Sequence, residues 1–226
     1  MSQDDKRADF FTRTPLFPLP NVVLFPRAVL PLHIFEERYK AMTSDALDGS
    51  GRIAMALLKP GWEKNYYGKP VIDPVVCVGR ILAHERLPDG KYNFLLEGIA
   101  RARVVREYPS THGGYRTADL ERLSELPAPD IQLDDHRRRL GEVLRNDLST
   151  LPGARQFLQM LTSPLATPTV ADLIAFHLLD DTAIKQQLLM DTDVRHRVAC
   201  TVEALEAIKP AAGQPPMRYP SDPSLN

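Results

Sequence analysis

Proline placement is the strongest limit on what this chain can fold into. Twenty of its 226 residues are proline, about 9% against a typical ~5%. A proline inside a helix removes a hydrogen bond and costs roughly 3 kcal/mol, which excludes a long coiled coil or an all-helical bundle. Pro210, Pro215, Pro216, Pro220 and Pro223 sit among Gly213, Gln214, Ser221 and Ser224. That stretch has too little apolar surface to offset the entropy of ordering, so residues 210–226 are expected to be a disordered tail. Pro15, Pro18, Pro20, Pro26 and Pro31 keep different company. Leu16, Phe17, Leu19, Val22, Val23, Leu24, Phe25, Val29, Leu30, Leu32 and Ile34 alternate with them. This segment reads as a buried, extended lead-in with fixed bends.

The pattern then divides the chain. Ile53–Leu58, Val75–Leu82, Tyr92–Leu96, Ala102–Tyr108 and Tyr115–Leu123 are short, apolar and often β-branched, as strands are. Leu87-Pro88-Asp89-Gly90 is a hairpin-type turn, and Gly98 suggests a bulge or sharp bend between two strands. One helix interrupts the strands, with Phe35, Tyr39, Met42 and Ala46 at helical spacing. After Pro127 and Pro129 the period becomes helical: Leu140, Val143, Leu144 and Leu148; Phe157, Leu158 and Leu161; Val170, Leu173, Ile174, His177 and Leu178. Ile184, Leu188 and Leu189 follow, and Asp193 is placed to cap a last helix. Segregated strands and helices imply an α+β fold. The expected organisation is a flexible start over 1–12, a β-rich part over 13–126, a linker over 127–132, a helical part over 133–209, and the tail.

Charge and length remove several function classes. The net charge is −1, with no global pull toward nucleic acid or anionic membrane. The longest apolar run, Ile53–Leu58, has six residues, against ~20 for a membrane helix. No signal peptide is visible at the start. Cys77 and Cys200 are far apart and lack CxxC or Cys/His spacing, which suits a reducing, cytoplasmic setting.

The block from Pro15 to Met42, PLFPLPNVVLFPRAVLPLHIFEERYKAM, closely resembles the start of the Lon N-terminal domain family. Val78-Gly79-Arg80-Ile81 and Leu87–Val104 (LPDGKYNFLLEGIARARV) also resemble it, and Asp191–Arg197 is similar to the domain's end. The resemblance covers roughly residues 14–208. It implies a PUA-like β pseudobarrel with one helix, followed by an α-helical bundle. Pro18, Pro26, Pro31, His33, Phe35, Arg38, Tyr39, Gly79, Gly98 and Arg101 fall in its structural motif. Lon proteases continue into an ATPase domain and a serine–lysine protease domain. This sequence has no GxxxxGK[ST] loop and stops near the end of the N-terminal domain. The expectation is therefore a stand-alone, non-enzymatic binding module without cofactor or metal, acting in protein quality control. Its implied partners are unfolded or specific target proteins, with a protease or chaperone beside them. The oligomeric state stays open between monomer and weak dimer.

Few residues suggest chemistry. No GxSxG elbow, HExxH helix or EF-hand loop occurs. His33 reads as a packing or hydrogen-bonding residue at the helix start, His84-Glu85 as a solvated strand end, His177 as a core or interface histidine, and Cys77 as an inert buried thiol. His136-Arg137-Arg138-Arg139 is the one basic cluster. It supports an alternative function, RNA binding by a PUA-like protein, against the plainer reading of a solvated helix face. The loop over 59–74 holds the single tryptophan. Trp62, Tyr66 and Tyr67 there are candidate peptide-binding residues, because such side chains bury much area with few rotors. The competing reading makes Trp62 a lid over the barrel core.

Overall fold

The computed structural model describes residues 10–110 and 114–208; the predicted C-terminal tail lies outside them. The fold is α+β, with six strands and six α-helices among the described residues, and it divides into two compact units at Leu123/Ser124.

The first unit is a small barrel with a flap. Its strands are β1 (Phe10–Leu19), β2 (Val29–Ile34), β3 (Arg52–Leu57), β4 (Val75–Arg86), β5 (Tyr92–Tyr108) and β6 (Arg116–Arg122). β1 runs parallel to β3 and antiparallel to β6. β3–β4, β4–β5 and β5–β6 are antiparallel, and the last pairing closes the ring. A parallel pair needs a crossover; helix α1 (Glu37–Asp48) lies within it and buries Tyr39, Met42, Thr43 and Ala46. The barrel interior is filled largely by small and β-branched side chains: Ala54, Ala56, Val76, Val78, Ala100, Ala102 and Ala118, with Leu16 and Leu120. Small residues allow five strands to close around a packed centre.

The prolines shape this unit as their apolar neighbours predict. Pro15 and Pro18 lie in β1, and Val23, Leu24, Phe25 and Ala28 are buried after it. The strand runs read on either side of Gly98 belong to one 17-residue strand, β5, and the expected bulge or bend falls at Gly98 within it. The register against β4 shifts between Gly98 and Ala100. Gly98 N–H donates to Ala28 O at 2.9 Å, and Gly98 O accepts from Arg27 N–H at 2.7 Å. A Cβ on Gly98 would stand 2.1 Å from Phe25 O. The strand continues because only glycine lets the lead-in cross it this closely.

Beyond the barrel, β2, the first half of β5 and the far half of β4 form a three-stranded flap. Its turn has Gly90 at φ +82°, with Gly90 N–H bonded to Leu87 O. Leu30, Leu32, Ile34, Tyr92, Phe94 and Leu96 are buried on one face. By the two-residue period the other face carries Val29, Pro31 and His33, opposite Glu97, Leu95 and Asn93.

The second unit is helical: α2 (Asp130–Asn146), α3 (Ala154–Thr162), α4 (Thr167–Leu178), α5 (Thr182–Met190) and α6 (Val194–Glu206). Pro168 lies in the first turn of α4, where a missing N–H costs nothing. Asp181 caps α5, accepting from Ala183 and Ile184, and Asp193 caps α6, accepting from His196. α2 packs against α3, α4 and α6, burying Leu133, Leu140, Val143, Leu144, Phe157, Val170, Ile174, Val198 and Leu205. Of the two places expected for His177, core or interface, the core is not the one it takes. The stripe buried on α4 is Val170, Ala171, Ile174, Ala175 and Phe176, and His177 lies outside it, exposed, with its ring near Phe157 and Phe176.

Candidate functional site

The loop over 59–74 is fastened to the barrel at several points. Leu58 bridges to Ile72, Lys59 N–H donates to Val71 O, and Asp73 N–H donates to Leu57 O. Within it, Trp62–Asn65 form one 3₁₀ turn. Trp62 is half-buried against the barrel core, and its ring lies edge-on to Tyr66 at 5.4 Å. The Tyr66 hydroxyl donates to Glu36 Oε1 at 2.6 Å. Burial, followed by this carboxylate, pushes the phenol above its ordinary value. Arg38 donates through Nε to Glu36 Oε2 at 3.0 Å and through Nη1 to the Tyr66 carbonyl at 3.3 Å. Its guanidinium lies over the rings of Tyr39 (4.5 Å) and Tyr66 (4.6 Å), a stacking suited to its planar, weakly hydrated fork. Arg116, unmarked in the sequence reading, donates to Pro70 O at 2.8 Å and to Glu107 Oε2 at 2.8 Å.

The three aromatic candidates therefore differ. Trp62 is half-buried against the barrel core, Tyr66 is held by Glu36 and Arg38, and Tyr67 is 89% exposed. The depression between loop and barrel, lined by Arg38, Tyr39, Tyr66, Pro70, Tyr115 and Arg116, encloses about 10 Å³, room for about one water molecule.

The family-motif residues are distributed through the first unit. Pro18 is buried in β1 and Pro26 precedes β2. Tyr39 lies 4.5 Å from the Phe17 ring. A Cβ on Gly79 would stand 2.5 Å from Leu96 Cγ, and Arg101 is buried near the Phe25 ring. Pro31, His33 and Phe35 belong to the flap's outer side. His33 Nδ1 is 2.7 Å from Asn93 Oδ1, and its ring is 6.2 Å from that of exposed Phe35. With Val29 at 37% and Leu95 at 40% exposure, these motif residues make a strip of largely apolar surface, of which Val29 and Leu95 were not singled out in the sequence. The signal was present in the alternation of β2 and β5, once their pairing is known.

The basic cluster is committed internally. Arg137 donates to the carbonyls of Leu161, Leu165, Met160 and Ser163 and to Thr167 Oγ1, closing the C-terminal end of α3. Arg138 pairs with Asp135 and Glu142, and Arg139 with Glu142 and Glu206. All three guanidiniums are thus matched to carboxylates or carbonyls, Arg138 and Arg139 in exposed pairs. His84 and Glu85 are exposed, and Cys77 is fully buried.

The helical unit holds two arrangements that sequence reasoning missed. Arg197, 1% exposed, donates to Asp191 O and Glu125 Oε1, both at 2.7 Å, and lies 3.2 Å from Asp172 Oδ1. It joins α4, α6 and the segment before α2. On the surface, His196 Nδ1 is 2.6 Å from Asp191 Oδ2, and Cys200 Sγ is 3.5 Å from His196 Nε2. The i, i+4 spacing of His196 and Cys200 was the available clue. The Asp191 hydrogen bond raises the imidazole above its ordinary value, while burial and the carboxylates of Glu203 and Asp191 raise the thiol. A protonated thiol is a poor nucleophile. No group of three or more His, Cys, Asp or Glu suited to a metal occurs among the described residues, and no described helix is long and apolar enough to cross a membrane.

Comparison with known proteins matches this architecture. The family described as ATP-dependent protease La (LON) substrate-binding domain matches residues 13–207. The chain is 24% identical to Lon protease of Desulfosudis oleivorans over 81% of its own length and 22% of that protein's; it thus spans about a quarter of the length of the curated relatives it matches. Among solved structures it is similar to the N-terminal domain of Mycobacterium avium complex Lon protease, with a TM-score of 0.67 at 18% identity, covering 86% of this chain and 98% of that one. It is also similar to a Lon N-terminal domain protein from Xanthomonas campestris, with a TM-score of 0.62 at 24% identity, covering 88% and 100%. With its family profile, its flap and barrel, and its helical unit in agreement, the chain belongs to the LON substrate-binding domain family.

Proposed function

We propose that this chain is a non-catalytic module that binds exposed apolar segments of non-native proteins, and that the outer side of the flap is where they dock. The observation that carries the reading is the uncovered strip of Val29, Pro31, Leu95 and Phe35 on a domain of the substrate-binding family. Apolar side chains on a three-stranded sheet offer a rigid platform, so a flexible client loses entropy on binding while the module does not. Tyr67 extends the surface. The Tyr66–Glu36 bond ties its loop to the residue after Phe35. Trp62 serves as the lid that supports that loop. A cytoplasmic quality-control role, with a protease or chaperone receiving the client, follows from the same reading.

The test is fluorescence anisotropy with labelled lactalbumin that has been reduced and carboxymethylated, so that it stays unfolded. Micromolar binding of this form, with none for the native form, is the expected result. Equal binding of both forms, or of neither, contradicts the proposal.

A further inference from the structure

Two strand edges flank the flap, and only one is blunted. Gly98 N–H donates to Ala28 O. Bonded pairs alternate along an antiparallel ladder, so Leu30, Leu32 and Ile34 turn their backbone groups toward β5, while Val29, Pro31 and His33 turn theirs outward. Pro31 has no N–H to give there, a device natural sheets use to discourage a further strand. The β4 edge is different. Leu87 N–H donates to Lys91 O at 2.8 Å, so Glu85 with Asn93 and Ala83 with Leu95 are the next bonded pairs. The N–H and C=O groups of His84 and Arg86 point away from β5. β3 pairs with β4 no further than Arg80, and the Ile81 N–H goes to Gly51 O. From Leu82 to Arg86 no described strand runs along the side away from β5, every residue is exposed, and none is proline, glycine or lysine.

We infer that a client segment adds to the flap as a further β-strand along Leu82–Arg86, bonded to the backbone of His84 and Arg86. This inference rests on the client-binding reading above. Backbone pairing supplies affinity for an extended chain of varied sequence, and alternate side chains of the added strand lie beside Ala83, one strand from Leu95. A second copy of the chain is the rival occupant. A stable dimer buries about 800 Å² on each partner, whereas this edge is five residues, about 17 Å long and one strand wide. A single transient segment fits that size.

The experiment uses a fluorescein-labelled, lysine-capped dodecapeptide of alternating valine and threonine, and the same peptide N-methylated at alternate residues. N-methylation keeps the side chains and removes the donors. The full chain is expected to bind the parent peptide at least tenfold more tightly than the N-methylated one, with slowed hydrogen exchange at the His84 and Arg86 amides. His84→Pro is expected to lose at least tenfold in affinity for the parent. Equal binding of the two peptides by the wild type overturns the inference, whether or not the variant folds. Equal binding of the parent by wild type and His84→Pro, or no binding of it at all, does the same. If unfolded lactalbumin still binds in those cases, the client-binding reading survives without the edge; if it does not, both fail. A protein-concentration-dependent dimer formed through this edge would assign it to a second copy instead.

Discussion

The Tyr66 hydroxyl reaches Glu36 Oε1 at 2.6 Å across a sequence separation of 30, and with Arg38 it fastens the loop that carries the single tryptophan. Removing the hydroxyl by Tyr66→Phe is expected to cost about 1–2 kcal/mol: a hydrogen bond to a charged group contributes roughly 1.5–3 kcal/mol, and partial solvent screening lowers it here. Trp62 emission should shift to the red as the lid loosens. Chemical denaturation followed by tryptophan fluorescence measures both. An unchanged midpoint and spectrum would remove the clasp from the account.

Gly98 predicts a larger effect. Ala at this position must displace the Phe25 carbonyl, which is backbone and cannot rotate aside. Overpacking of this kind costs about 3 kcal/mol, so Gly98→Ala should lower the thermal midpoint sharply. Gly114→Ala, where a Cβ meets only Arg38 Cβ at 3.6 Å but the backbone is left-handed at φ +75°, should cost less, about 1–2 kcal/mol of conformational strain.

In the helical unit, Arg197 and Asp172 form a buried ion pair. Asp172→Ala removes that charge but leaves Glu125 on the guanidinium, so the expected cost is about 2–3 kcal/mol, below the ~3–5 kcal/mol of a buried charge left wholly uncompensated. The replacement of Arg138 by Ala removes only exposed pairs and should change stability by less than about 1 kcal/mol. Calorimetry on the two variants separates them.

Two histidines should titrate in opposite directions. Partial desolvation, with the Phe157 and Phe176 rings beside it, and then Lys185, lower His177, although the residue as a whole is exposed; the Asp191 hydrogen bond raises His196. For His196 the folded value lies above the unfolded one. The stabilisation it brings is complete below the ordinary value near 6.5 and is lost as pH rises through the folded midpoint. Asp191→Asn should narrow that difference, so wild type and variant differ most at low pH. For His177 the sign is reversed, and its protonation destabilises the fold as pH falls below about 6.5. Proton NMR of the ring hydrogens reads both midpoints; coincident titration at the ordinary value would contradict the assignments.

Much of the fold was legible because local and long-range demands agree. The helices of the second unit carry clear periodicity and capping aspartates, and the proline block signals a buried, extended path. The irregularity at Gly98 was legible; that the runs beside it form one continuous strand was not, because a glycine that ends a strand and one that admits a crossing chain look alike in sequence. The core alternative for His177 failed because the residue fits the i+7 position of an apolar template, while Phe176 beside it is the one buried. The flap's outer face was hidden for a different reason: Val29 and Leu95 are 66 positions apart in sequence, and only the register joins them. Arg137 looked like part of a basic patch because the carbonyls it binds lie more than 20 residues away.

The most direct test replaces the outer face without touching the core. Val29→Lys with Leu95→Lys places two charges on exposed positions, leaving the buried face of the flap intact. Anisotropy titration of reduced, carboxymethylated lactalbumin should show at least tenfold weaker binding for this variant than for the wild type, at unchanged thermal stability. Equal binding by the two proteins would contradict the account.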